Sequence, residues 1–146
     1  MQKWQTIKTI WEFLKSQGLN DYGLLAYGNL YAESGLSPTN LQNTYNNKFG
    51  MTDDEYTADV DAGRYGNFVH DSAGYGLAQW TFWSRKQGLY DYAKSTGRSI
   101  GDLTMQLEFL FQELSSGYKS VLSTLKSATS VLQASNSVLL QFERPA

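Results

Sequence analysis

Residues 103–114 read LTMQLEFLFQEL and decide how the chain folds. Their large apolar side chains recur every three or four positions, which is the spacing of one face of an α-helix. The stripe consists of Leu103, Leu107, Leu110, Phe111 and Leu114. It predicts an amphipathic helix with one buried face.

Most of the remaining sequence has the same helical character, and glycine ends several of the predicted segments. Residues 64–80 are the exception, because glycine and other small residues alternate there with aromatic ones. We expect that stretch to be irregular or to form a short β-hairpin. The helical segments are predicted at 4–14, 20–34, 52–63, 81–96, 103–114, 118–125 and from Ser130 onwards. The pattern predicts a mostly α fold.

The length of 146 residues favours a single domain over residues 1–146. Such a chain can bury a sizeable core without disulfides or metals. Pro145 lies where a helix would stop, so we expect the domain to have been excised from a longer chain at a domain edge.

Composition excludes several classes of site. The chain has no cysteine and only one histidine, His70, so zinc sites built on cysteines or on several histidines are excluded. We expect no metal and no cofactor. The net charge of −2 and the lack of a basic stripe argue against a nucleic-acid partner. The sequence shows neither a membrane-spanning apolar run nor a signal peptide.

Carboxylates are the remaining candidates for chemistry, and Glu33 is the first that stands out. It is predicted in the last turn of its helix, where the helix dipole disfavours negative charge. Leu30 and Ala26 share its strip of the helix surface. Desolvation and the dipole would both raise its pKa, as a general acid near neutrality requires. The alternative is an ordinary exposed glutamate at a helix end.

Asp71 also lacks an ordinary explanation, because it lies within the irregular stretch and not in the first turn of a helix. Glycines nearby allow a ligand to approach the backbone closely. The alternative is a turn residue that bonds its own backbone. In the segment that follows, Gln79 offers a donor and an acceptor to an N-acetyl amide, and Leu77 is expected in the core. The alternative is that Leu77 and Trp80 are both core residues and that Gln79 only bonds the backbone.

Two blocks carry a family resemblance: GNLYAESGLSP at 28–38 and GYGLAQWT at 74–81. Their order and content resemble the signature blocks of the goose-type lysozyme and soluble lytic transglycosylase superfamily. One position departs, since transglycosylases have methionine where this chain has Ala78. The chain is most similar to the phage tail lysozyme family, through features at 10–11, 40–43, 68–71 and 142–145.

The resemblance implies a lysozyme-like helical domain that cleaves the glycan strands of bacterial peptidoglycan. It implies that Glu33 is the general acid and Asp71 the general base of a muramidase. The substrate-binding residues that we expect are Ser34, Tyr31, Tyr75, Gln79 and Trp80, although the aromatic ones among them could equally be core residues. The alternatives are a lytic transglycosylase with Glu33 as its sole acid and base, and an inactive glycan-binding module.

The resemblance also implies a biological setting. Such a domain acts on the bacterial cell wall as a bacteriolytic, antimicrobial enzyme of phage origin. It is either an endolysin released at lysis or a component of the virion tail. We expect a monomer that can be fused to a wall-binding or tail domain.

Overall fold

A computed structural model describes residues 3–25, 37–130 and 132–134. The mostly helical fold predicted from the sequence is confirmed. The helices are α1 (Lys3–Ser16), α2 (Asn43–Phe49), α3 (Asp53–Asp61), α4 (Trp83–Ser95), α5 (Leu103–Ser116) and α6 (Lys119–Ser127). Residues 21–25 and 132–134 are helical as well.

Local capping signals place several helix ends. Thr52 and Glu55 form a complete capping box at the start of α3, in which each side chain accepts a hydrogen bond from the other residue's backbone N–H. After α1, Gly18 adopts a φ of 97°. Its N–H donates to the Lys15 carbonyl, and the N–H of Leu19 donates to the Leu14 carbonyl. These two backbone hydrogen bonds form a Schellman motif.

Helix α2 is not among the predicted segments. Its sequence, NTYNNKF, is rich in asparagine, which has a low helix propensity. Tertiary packing supports it instead, since Phe49 stacks on Tyr56 of α3 at 6.3 Å; within the helix, the Tyr45 and Phe49 rings are 5.2 Å apart. Gly50 ends the helix in the left-handed conformation.

The chain divides into two compact units, the first formed by Met1–Leu36 with Leu110–Ala146. In its described part, the Asn20 side chain accepts from the N–H of Gly23 and so begins the segment 21–25. The Asn20 amide also donates to the Ala128 carbonyl at 2.9 Å. Gly23 packs directly on the backbone of Leu125, which leaves no room for a side chain.

The second unit, Ser37–Phe109, contains the irregular stretch that the sequence predicted at 64–80. Tyr75 pairs with both Leu41 and Trp80 in isolated antiparallel β-bridges. The Gln106 side chain fixes the turn between Tyr75 and Trp80, because it accepts from the Leu77 N–H at 3.0 Å and donates to the Ile100 carbonyl at 2.8 Å. The unit therefore holds an irregular loop against a helical frame.

Within the described ranges, no helix has the length and apolar character needed to cross a membrane.

Candidate active site

Asp71 lies at the centre of a buried polar cluster. Its Oδ1 accepts from the Lys86 ammonium at 2.6 Å and from the Ala73 N–H at 2.9 Å. Its Oδ2 accepts from the phenols of Tyr56 at 2.6 Å and Tyr65 at 2.9 Å. The side chain is only 1% exposed. Each oxygen of the carboxylate thus has two protein donors.

Lys86 is the cation of this cluster and is wholly buried. Besides the Asp71 carboxylate, its ammonium donates to the Ala73 carbonyl at 2.8 Å. Burial lowers the pKa of Lys86, and the hydrogen bond and negative charge of Asp71 oppose that effect. The pair is therefore a buried ion pair whose charges depend on each other.

The two phenols act as neutral donors. Burial, and then the hydrogen bond to Asp71, raise the pKa of Tyr56 well above its ordinary value. The same two causes, in the same order, raise the pKa of Tyr65. Both phenols stay protonated at neutral pH and keep donating to the carboxylate.

The turn from Tyr75 to Trp80 follows the cluster. Tyr75 and Trp80 exchange two backbone hydrogen bonds, of 3.1 and 2.9 Å. Gly76 and Gln79 take positive φ angles of 82° and 48°. For a residue other than glycine such an angle is uncommon, and it costs free energy that the surrounding contacts must offset. The turn is held in one shape.

The Gln79 amide contributes to that turn. Its Nε2 donates to the carbonyls of Asn40, at 2.9 Å, and Gly76, at 3.1 Å. This is the backbone-bonding role that the sequence left open beside recognition of an N-acetyl amide. The amide hydrogens are engaged within the protein.

Two of the aromatic residues predicted to stack on sugars, Tyr75 and Trp80, lie in the core. Tyr75 and Trp80 are both 0% exposed. The Tyr75 hydroxyl is hydrogen bonded to the Thr57 hydroxyl, and the Trp80 ring packs 5.8 Å from that of Phe109. Their burial favours core packing, the alternative that the sequence left open.

Three of the predicted site residues, Glu33, Ser34 and Tyr31, lie outside the described residues. The predicted distance between the carboxyl groups of Glu33 and Asp71 is therefore not defined by this structure.

Two features of this region were missed by sequence reasoning. Lys86 is one, although its spacing from Leu89 and Ala93 places it on the buried face of α4. The other is a pair of neighbouring rings, Phe82 and Trp83, which are 63% and 52% exposed. A lysine within an apolar stripe was the available signal for the first.

A shallow depression of about 550 Å³ lies elsewhere in the second unit, between α2 and α3. Both of its carboxylates have structural partners. Asp53 accepts from the Leu41 N–H and the Asn46 amide, and Glu55 belongs to the capping box with Thr52. The depression offers no chemistry comparable with the Asp71 cluster.

These features define a mostly helical, lysozyme-like domain with a rigid irregular loop around a buried carboxylate. The chain belongs to the phage tail lysozyme family, whose sequence model matches residues 5–146. No significant match was found among curated proteins or among solved structures. Membership of the family indicates a lysozyme-like, peptidoglycan-degrading function and a phage-associated action on the cell wall.

Proposed function

We propose that this protein is a muramidase that hydrolyses the β-1,4 bond between N-acetylmuramic acid and N-acetylglucosamine. The family match over residues 5–146 carries the proposal, because it includes both sequence blocks and with them Glu33. Glu33 is the general acid. It gives its proton to the glycosidic oxygen as positive charge develops at the anomeric carbon.

Hydrolysis with inversion needs a second carboxylate that takes a proton from the attacking water. Asp71 is the candidate for this role. Its carboxyl group would have to lie roughly 6.5–9.5 Å from that of Glu33, which leaves space for the water. Substrate contacts are proposed for Ser34, Tyr31 and the side-chain oxygen of Gln79, since the amide nitrogen of Gln79 donates to backbone carbonyls.

One observation favours a second candidate, a lytic transglycosylase. Both oxygens of Asp71 are occupied by protein donors, and the side chain is 1% exposed, so a water has little access to it. In a transglycosylase Glu33 acts first as acid and then as base. The 6-hydroxyl of the muramic acid attacks its own anomeric carbon, gives its proton to Glu33 and forms a 1,6-anhydro ring. Asp71 then holds the loop without touching the reacting atoms.

Mass spectrometry of the products on purified peptidoglycan separates the two reactions. A muramidase leaves reducing muramic acid ends, whereas a transglycosylase leaves anhydro ends that lack one water. Reducing ends are the expected result. Anhydro ends as the main product would refute hydrolysis and leave Glu33 as the sole acid and base.

The role of Asp71 needs a variant that folds. Asp71→Asn alone leaves the Lys86 ammonium buried without its anion, so we add Lys86→Met to remove both charges. If Asp71 is the base, the folded double variant loses on the order of 10²–10⁴ in rate. A double variant with nearly full activity would refute that role.

The third possibility is a glycan-binding module without activity. The test is clearing of a cell-wall suspension by the wild type and by Glu33→Gln. We expect the variant to lose about 10²–10⁴ in rate. Glu12→Gln is the matched control, since Glu12 lies on α1 with its side chain 66% exposed. Equal clearing by wild type and Glu33→Gln would remove the proposed acid. No clearing by the wild type would favour the binding module.

The biological setting is proposed on the same basis. With a net charge of −2, the domain has no general attraction to an anionic wall. We propose that a fused wall-binding or tail domain brings it to its substrate. Full lysis by the isolated domain at low dose would contradict this.

A further inference from the structure

Three aromatic rings form a surface platform beside the Asp71 loop. The platform consists of His70, Phe82 and Trp83. The imidazole of His70 stacks on the indole of Trp83, with ring centroids 6.0 Å apart and planes at 27°. The Phe82 ring lies 6.2 Å from that of Trp83. Phe82 and Trp83 are 63% and 52% exposed, and His70 is exposed as well.

The core does not account for these exposed rings. The buried face of α4 is formed by Lys86, Leu89 and Ala93, and large aromatic side chains are normally covered. Phe82 and Trp83 are also adjacent, so they expose one continuous apolar surface and not two isolated side chains. Such a patch marks a binding site more often than a single exposed residue does.

The backbone that carries two rings of the platform is held by the start of α4. Phe82 is the N-cap of α4, and its carbonyl accepts from the N–H groups of Arg85 at 3.1 Å and Lys86 at 3.0 Å. The helix thus sets the direction of the backbone that carries both rings. A backbone that is ordered in advance loses less entropy when the surface binds a ligand.

Its position links the platform to the proposed site. His70 directly precedes Asp71, and Trp83 lies one helical turn before Lys86, whose ammonium contacts Asp71 at 2.6 Å. The three rings therefore lie at both ends of the loop that contains Asp71 and Gln79.

We propose that this platform is a stacking subsite for one pyranose ring of the peptidoglycan glycan strand. The inference rests on the proposed function, which supplies the ligand. A pyranose ring has apolar C–H faces and polar edges, and exposed hydroxyl residues, Thr81 and Ser84, flank the two rings. A stable protein partner would need roughly 800 Å² on each side, far more than the three rings of the platform provide.

The test measures binding separately from cleavage. In the Glu33→Gln background, which does not consume the ligand, binding of a β-1,4-linked N-acetylglucosamine tetramer is measured by calorimetry and by NMR shifts. We expect Trp83→Ala to weaken binding about tenfold and Phe82→Ala to weaken it less. Trp83→Phe keeps a ring and should retain most of the affinity.

Trp11→Ala is the matched control, because Trp11 is an exposed tryptophan on α1, at 37% exposure. It should bind the tetramer as the parent does. Unchanged affinity in Trp83→Ala, or no binding by the parent, would overturn the platform. The proposal would also be overturned if the platform served self-association. In that case the protein would be a dimer, and Trp83→Ala would abolish the dimer but leave glycan binding unchanged.

The outcomes distinguish the platform from the proposed function. If the wild type clears no walls but binds the tetramer through Trp83, the muramidase proposal fails and the platform stands. If the wild type clears walls and Trp83→Ala binds and clears equally well, the platform fails and the muramidase proposal stands.

Discussion

Removing one member of the ion pair between Lys86 and Asp71 is expected to cost more stability than removing both. The two side chains are 0% and 1% exposed. Either single substitution therefore leaves the other residue as a buried, unpaired charge that water does not solvate. Breaking such a buried pair costs about 3–5 kcal/mol. We expect Lys86→Met and Asp71→Asn each to lower the free energy of unfolding by that amount.

The double variant retains neither charge, so its cost has a different origin. The Ala73 carbonyl loses the ammonium that donates to it at 2.8 Å. A buried acceptor without a donor costs about 1–3 kcal/mol. The double variant is therefore expected to be more stable than either single variant, although the sum of the single effects would make it the least stable.

Urea denaturation followed by circular dichroism gives the four free energies of this cycle, and each single substitution should lower Tm by about 6–20 °C. Lys8→Met is the control, because Lys8 pairs with Glu12 at 3.9 Å with both side chains more than 60% exposed. It should cost under about 0.5 kcal/mol. Additive effects in the double variant, or single variants no worse than Lys8→Met, would refute the reasoning.

Two further predictions concern stability. Tyr56 and Tyr65 have a pKa above the ordinary value of 10.0 in the folded protein, so they contribute stability that is complete below pH 10 and lost above it. Each of these phenols should add up to about 1.4 kcal/mol per pH unit to the loss above pH 10, beside the contribution of Tyr75, whose pKa is raised as well. Urea titrations from pH 9 to 11 measure the slope, and Tyr56→Phe should remove one such contribution; an unchanged slope in Tyr56→Phe would contradict this. In Gly23→Ala the new Cβ would lie 2.3 Å from the Leu125 carbonyl oxygen, so we expect a loss of about 3 kcal/mol or more by thermal unfolding. Gly66→Ala, with no atom within 4 Å, should change stability by less than about 0.5 kcal/mol, and equal losses in both variants would exclude the clash as the cause.

The features that the sequence predicted correctly depend on residues close together in the chain. The capping box of Thr52 and Glu55 involves positions three apart, and the turn at Gly18 comes immediately after the helix that it ends. The apolar stripe of Leu103–Ser116 has the same local character, since it follows from helical spacing alone. Helix α2 shows the limit, because its weak propensity is overcome by rings that come from α3 and the loop after it.

The site was predicted less completely, because its contacts join distant segments. The contact partners Tyr56 and Lys86 each lie 15 positions from Asp71, on two different helices. Sequence reasoning selected Asp71 as a carboxylate without an ordinary role but had no means of finding those partners. It also could not separate a buried ring from a stacking one, since both uses select the same residue types. That is why the buried Trp80 was a candidate for stacking and the exposed Trp83 was not.

The position of Ala73 explains why an ion pair occupies this buried site. Its N–H donates to Asp71 and its carbonyl accepts from Lys86, so the two charged side chains satisfy both polar groups of one buried residue in an irregular loop. Helices and sheets supply such partners through the backbone, but a loop without regular structure must find them elsewhere. Apolar replacements would remove the cost of burying two charges and leave both groups of Ala73 without partners. The pair thus makes a buried, irregular loop possible at the place where the proposed site requires a rigid one.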